Sequence, residues 1–427
     1  MNNEAQQSDT APTLADELQA PSVSRAYQCQ CGRPVFLGNS QCLACGTPLG
    51  FVTPRLGVVP LAPVAAPEPE PPAEGDAPAP DPAPELYTVF GDAHGPLYRR
   101  CANFHAAAGC NWMVPVPRES GAPAPDTHGL AGGYCLSCSA TRTIPDLSVA
   151  GNGDLWRKLE QAKRRLMSQL LALGLPVITR VADPECGLAF DFLSNMPGGP
   201  HVLTGHQQGV ITLNAEEAED AVRERIRAEM REPYRTLVGH FRHEIGHYYW
   251  DLLVAPTPWL EGFRQLFGDE RADYAQALRT HYDNGPPPDW SMRYVTGYAS
   301  AHPWEDWAET WAHYLHMADT ADTALSFGID AANVELSSDL FGMEDLWQPE
   351  HPEAARFLDF LNGWVRLTNV LNELSRSMGQ PDYYPFVLPR AAVGKLQFIH
   401  EVIAEQRRAP EAAPSQAPPS ASGPGEG

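Results

Sequence analysis

Apolar residues recur every three or four positions along several stretches of this 427-residue chain. Leu155, Leu159, Ala162, Leu166 and Leu170 share one face if residues 154–174 are helical. Residues 234–254 contain no proline and keep the same apolar interval, which predicts a second helix. Asn214 reads as the N-cap of a helix over 215–230, with Glu216, Glu217 and Glu219 at the positive end of its dipole. Further helices are predicted over 270–282 and 304–317. Shorter runs at 177–181, 188–192, 201–203 and 210–213 read as strands, the last two joined by a Gly-containing turn. Long helices with a small β-sheet predict an α+β fold, mainly α.

Outside these stretches the pattern fails in three places. Residues 1–25 and 408–427 lack periodic apolar positions and read as disordered. Residues 56–86 are rich in Pro, Ala and Glu and read as an extended linker. The chain therefore divides into cysteine-rich segments at 26–55 and 87–150 and a large domain at 151–407.

The net charge of -23 excludes a mainly electrostatic grip on nucleic acid. Part of that excess lies in the linker, since no Lys or Arg occurs from 57 to 97. The first thirty residues lack the basic and apolar pattern of a secretory leader, and no apolar run approaches the roughly eighteen residues that span a bilayer. A cytoplasmic protein without membrane contact is expected. Its oligomeric state leaves no sequence signal.

In a reducing compartment the nine cysteines are better metal ligands than disulfide partners. Cys29 and Cys31, then Cys42 and Cys45, lie on two short loops each followed by Gly, as in the paired knuckles of a structural four-cysteine zinc site. The second quartet is looser. Cys135 and Cys138 form a knuckle, while Cys101 and Cys110 must be brought to it by the fold. A second structural zinc site is the stronger reading there, and buried or partly liganded thiols the weaker. Cys186 is left over and reads as a buried small hydrophobe.

His243-Glu244-Ile245-Gly246-His247 carries the chemistry. Two imidazoles one helical turn apart can bind one Zn2+, and Glu244 beside the first can take a proton from water. A third ligand is required. Tyr248, Tyr249, Trp250 and Asp251 follow, so no close third histidine exists. The candidates are Glu305 and Glu309, four residues apart on the predicted helix 304–317. Glu305 can ligate zinc while Glu309 accepts the N–H of a ligand histidine. Small Ala308 and Ala312 permit close approach to the His-Glu helix. Paired acids also occur on solvated helix faces, but Trp304, Trp307 and Trp311 argue against solvent there. Asp251 and Asp306 are candidate supports behind the ligands. His313 and His316, as further ligands, would close the site.

These residues resemble a zinc-binding metallopeptidase family that carries an N-terminal zinc-ribbon region. The resemblance covers nearly all of 27–405. It rests on Cys101-Ala-Asn-Phe104, Cys110-Asn-Trp-Met113, Cys135-Leu-Ser-Cys138, Ala162-Lys-Arg-Arg-Leu166, His243 through Trp250 and His302 through Glu309. The catalytic region is also similar to the gluzincins, whose third ligand is the first Glu of an E-x-x-x-D/E pair, which favours Glu305. In the lethal-factor-like branch a tyrosine seven residues before that Glu contributes to catalysis. Tyr298 holds that spacing here, with Tyr294 as the fallback.

The resemblance implies a gluzincin-like zincin domain with a zinc-ribbon module, binding one catalytic and one or two structural Zn2+. It implies peptide hydrolysis by a metal-activated water, with Glu244 as general base and Tyr298 supporting the oxyanion. A peptide or protein substrate is the expected partner, and strand 210–213 is expected to offer it an open edge. The alternative is a catalytically silent zinc-ribbon adaptor that binds protein partners through a peptidase-like domain.

Overall fold

The computed structural model describes residues 24–64, 85–117, 130, 132–195, 198–199, 201–230, 232–334 and 340–408. The stretches read as disordered lie almost wholly outside this set. Arg25 is an exception: it is buried, its backbone N–H bonds Ser326 Oγ at 2.8 Å, and its guanidinium reaches Asp319 at 3.3 Å.

The N-terminal region is built on strands. A small antiparallel hairpin, β1 (Tyr27–Gln28) and β2 (Pro34–Val35), brackets the first cysteine knuckle. A five-stranded antiparallel sheet follows: β3 (Leu49–Val52), β4 (Gly57–Val64), β5 (Leu86–Val89), β6 (Leu97–Arg100) and β7 (Met113–Val116), in that order. Near the start of β7 the sheet returns to β3, where Phe51 and Trp112 stack at 4.1 Å. The linker read from composition is therefore too long. Its first part is β4, because Val58 and Leu61, three residues apart, bury opposite faces of the strand in two apolar clusters. Residues 65–84 lie outside the described set. Since β4 pairs with β3 on one side and β5 on the other, the two cysteine segments share one sheet.

After the short helix α1 (Leu136–Ser139) and strand β8 (Thr141–Thr143) comes the long helix α2 (Asn152–Ala172), as its periodicity predicts. A second sheet contains β9 (Ala189–Leu193), β10 (Gly205–Gln207) and β11 (Val210–Asn214) in the order β10-β11-β9-β8. Residues 177–181 contribute only one bridge, Thr179 to Leu188, and 201–203 precede the strand they were expected to form. The turn at Gln208 and Gly209 has φ of 49° and 78°, the mirror-image geometry that fits a tight hairpin. A Cβ on Gly209 would collide with the backbone oxygens of Cys186 and Gly187, so only glycine fits. The hairpin covers one side of β11 and parallel pairing with β9 the other, so β10 is an edge strand, correcting the expected edge at 210–213.

The helix expected over 215–230 breaks in two. Asn214 Oδ1 accepts the Glu216 N–H at 3.0 Å and caps a single 3-10 turn, Ala215–Ala218. Extended backbone at Glu219 separates it from α3 (Asp220–Met230). The remaining helices are α4 (Leu237–Leu253), α5 (Trp259–Leu266), α6 (Tyr274–Asn284), α7 (Pro303–Ser326), α8 (Ala354–Ser377) and α9 (Arg390–Arg408). Thr236 caps α4, and His302 with Pro303 at the first helical position starts α7. One continuous apolar core runs from Tyr27 through Phe51, Cys135 and Leu166 to Trp311 and Ile403, joining the strand-rich region to the helices.

Candidate metal centre

The centre lies where α4 crosses α7. Gly246 makes the crossing close: a Cβ there would lie 3.1 Å from Ala308 Cα, and Trp307 Nε1 donates to Gly246 O at 2.8 Å. The anticipated small residue at Ala308 is thus met by a glycine on the opposing helix. This approach sets His243 and His247 opposite Glu305, with ligand atoms all within 4.8 Å of one another. All three side chains are buried.

The protons identify what the site wants. His243 Nδ1 lies 2.7 Å from Glu309 Oε1, and Glu309 takes a second hydrogen bond from Thr296 Oγ1 at 2.6 Å. Burial pushes the Glu309 carboxyl up, but His243, His313 and Thr296 bring its pKa below the ordinary range, so it is an ionised acceptor. The His243 hydrogen is then on Nδ1, and the lone pair on Nε2 faces Glu305 Oε2 at 3.0 Å. That oxygen is buried and takes no hydrogen bond among the described residues. Two lone pairs at this distance need a cation or a proton between them. With a proton there, burial disfavours the imidazolium, but Glu305 and Glu309 outweigh it and raise the His243 pKa well above its ordinary value. Burial lowers the His247 pKa to about 3, leaving neutral imidazole as metal binding requires. Its Nε2 is 3.6 Å from Glu305 Oε1, which also accepts Tyr274 OH at 2.7 Å. Two imidazole nitrogens and one carboxylate fit a zinc ion with a fourth position left open.

Glu244 is buried beside this set, and burial raises its pKa. The Tyr298 ring lies 6.0 Å from that of His243, and burial followed by the Glu305 charge keeps its hydroxyl protonated. Tyr294 is not at the centre, since its ring lies under the Lys395 ammonium at 4.4 Å. Asp306 turns to the same lysine, at 2.6 Å, and Asp251 approaches His206 at 4.0 Å, so neither supports a ligand. His313 bonds Tyr384 OH at 2.5 Å, and His316 bonds Arg242 at 2.6 Å; both are packing groups. Tyr274, Thr296 and His240 are the contacts that the sequence did not yield. His240 Nδ1 is 2.8 Å from Glu217 Oε2, and its Nε2 is 3.6 Å from Glu244 Oε1. Spacing offered a sign only for His240, four residues before Glu244.

Both cysteine quartets also converge. In the first, Cys29 and Cys45 Sγ are 3.6 Å apart, and Cys31 and Cys42 Sγ 3.8 Å. In the second, a 3-10 turn at Ala102–Phe104 and the bond from Cys110 N to Asn103 O bring Cys101 and Cys110 to the knuckle. Its four thiols are buried, with Cys110 and Cys135 Sγ 3.6 Å apart. Cys186 is exposed, contrary to expectation, because it lies in a turn where Asp183 holds its backbone N–H.

These features define an α+β protein with a buried two-histidine, one-carboxylate centre and a cysteine-rich ribbon. Residues 152–402 match the family described as "Putative zinc-binding metallo-peptidase", and residues 26–149, spanning both quartets, match a zinc-ribbon domain. The chain belongs to this metallopeptidase family. It is 41% identical over 384 residues to an uncharacterized protein of Mycobacterium bovis, covering 89% of this chain and 96% of the relative. Uncharacterized proteins from two Mycobacterium tuberculosis strains are similar at the same identity and coverage. No solved structure matches the chain. Among the described residues, no helix is long and apolar enough to cross a membrane.

Proposed function

We propose that this chain is a cytoplasmic zinc peptidase of gluzincin type, with His243, His247 and Glu305 as ligands of the catalytic ion and the cysteine quartets as two structural sites. The reading rests on one observation: buried ligand atoms of His243, His247 and Glu305 converge within 4.8 Å of one another, with Glu244 alongside. Bound zinc supplies a Lewis acid that lowers the pKa of water and polarises a carbonyl. Glu244, whose pKa burial raises, takes a proton from the attacking water and passes it to the leaving amine. Glu309, held by Thr296, fixes the tautomer of His243, and Tyr274 fixes the orientation of Glu305. Tyr298 keeps its proton and donates to the developing oxyanion. Edge strand β10 pairs with an extended peptide, placing its backbone beside the buried His206.

Metal quantification on wild type, His243→Ala and Glu244→Gln, run beside a peptide-library cleavage assay, tests this. The expected result is about three zinc ions in wild type, one fewer in His243→Ala, and full metal without cleavage in Glu244→Gln. Unchanged zinc in His243→Ala would sink the ligand assignment. Full metal with no cleavage of any peptide by wild type would favour the silent adaptor.

A further inference from the structure

Glu217 and His240 lead in a line to Glu244, and the hydrolytic scheme above leaves the first two unused. Glu217 sits in the 3-10 turn after β11 and accepts from Thr204 Oγ1 at 2.8 Å and Arg235 Nη2 at 3.1 Å. Burial pushes its carboxyl up, but His240, Arg235 and Thr204 together bring the pKa to about 2. An ionised carboxylate has no proton to give, so the His240 atom 2.8 Å from it, Nδ1, carries the hydrogen. The far edge of the ring presents Nε2 to Glu244 Oε1 at 3.6 Å, and with a hydrogen on that nitrogen as well the ring donates to both carboxylates. Among the described residues Glu244 makes no hydrogen bond, and His240 is the only basic side chain within 4.0 Å of its carboxylate. A small ring rotation closes that gap to hydrogen-bond length, as happens when catalytic contacts tighten around substrate.

We propose that His240 is a positioning residue for the general base: clamped by Glu217, it holds one oxygen of Glu244 and thereby turns the other toward the substrate water. The proposal builds on the peptidase reading, because it gives Glu244 the base role. It gives the buried acid a partner one turn earlier on the same helix, α4. It also ties the base to the segment that leads into β10, since Thr204 lies immediately before that strand.

Two substitutions separate positioning from packing. His240→Gln can place an N–H near the Nε2 position, whereas His240→Asn keeps only the donor near Nδ1. With zinc content unchanged, kcat should fall about 10- to 100-fold in His240→Asn with little change in KM, and His240→Gln should recover much of it. Equal activity in wild type and His240→Asn, or equal losses in both variants, would overturn the proposal. A second readout needs no turnover: 15N NMR of histidine-labelled protein, with the His240 signals assigned from its variants. Glu244→Gln should shift Nε2 of His240 and leave Nδ1 in place, while Glu217→Gln should shift both. An unmoved Nε2 in Glu244→Gln overturns the contact. If wild type cleaves no peptide, the peptidase reading falls by itself and the resonance still decides whether His240 holds Glu244.

Discussion

Glu309 lies outside the proposed ligand set, yet its contact with His243 bears on whether an ion can bind there. Its carboxylate takes the Nδ1 hydrogen of His243 and so leaves the Nε2 lone pair facing Glu305. Glu309→Gln, or Thr296→Val behind it, should weaken zinc binding at the proposed His243–His247–Glu305 site about 10- to 100-fold, measured by competition with a chromophoric chelator. The same contacts set a pH dependence. The His243 pKa is raised, so a proton must leave before the ion enters, and apparent zinc affinity should fall roughly tenfold per pH unit below that pKa. Titrations at pH 8, 7 and 6 that gave one affinity would contradict this. His243, Glu244 and His247 were legible from their spacing on one helix, and Glu305 from its pairing with Glu309 four residues on; the structure brings His243, His247 and Glu305 together. Tyr274 and Thr296 were not, because they approach from α6 and from the loop before α7. No local pattern records such a meeting.

Helices carried most of what the sequence revealed about elements. The apolar interval anticipated α2, α4 and α7 because burial of one face must repeat with the helical turn. The small sheet was harder. The hairpin partner of β11 was legible, but its other side is closed by parallel pairing with β9, a long-range contact that left β10 as an edge. The crossing of α4 and α7 gives the sharpest prediction at this scale. Gly246→Val would push branched methyls into Ala308 Cα and Trp311, spreading the helices that carry the ligands. A loss of about 1–3 kcal/mol in denaturant unfolding is expected, together with the catalytic zinc. Retained zinc and stability would show that the crossing has slack.

At the scale of the whole molecule, the ribbon is not an appendage. Its strands and cysteines share a core with α2, α4 and α7, so the separate modules suggested by composition meet in one body. A buried ionic centre strengthens the join. Asp319 on α7 faces Arg25 at 3.3 Å, Arg165 at 2.7 Å and Arg242, next to His243, at 2.8 Å. Burial opposes its charge, but the three guanidinium groups hold its pKa below the usual range. Its contribution is therefore complete above the unfolded-state value of about 3.9 and lost only as pH falls through the folded pKa. Asp319→Asn should cost about 3–5 kcal/mol at neutral pH, measured by urea unfolding, because it strands buried cations. A change below about 1 kcal/mol would show that solvent already reaches them.

That shared aspartate also imposes an order on synthesis. Arg25 emerges from the ribosome long before its carboxylate partner, which appears only once α7 has been made. The ribbon can gather its cysteines and meet α2 early, through Arg164 and Ala108, yet its ionic contact to α7 waits until that helix is complete. Assembly of the nascent chain should therefore finish late and slowly, at a contact between two segments far apart in sequence.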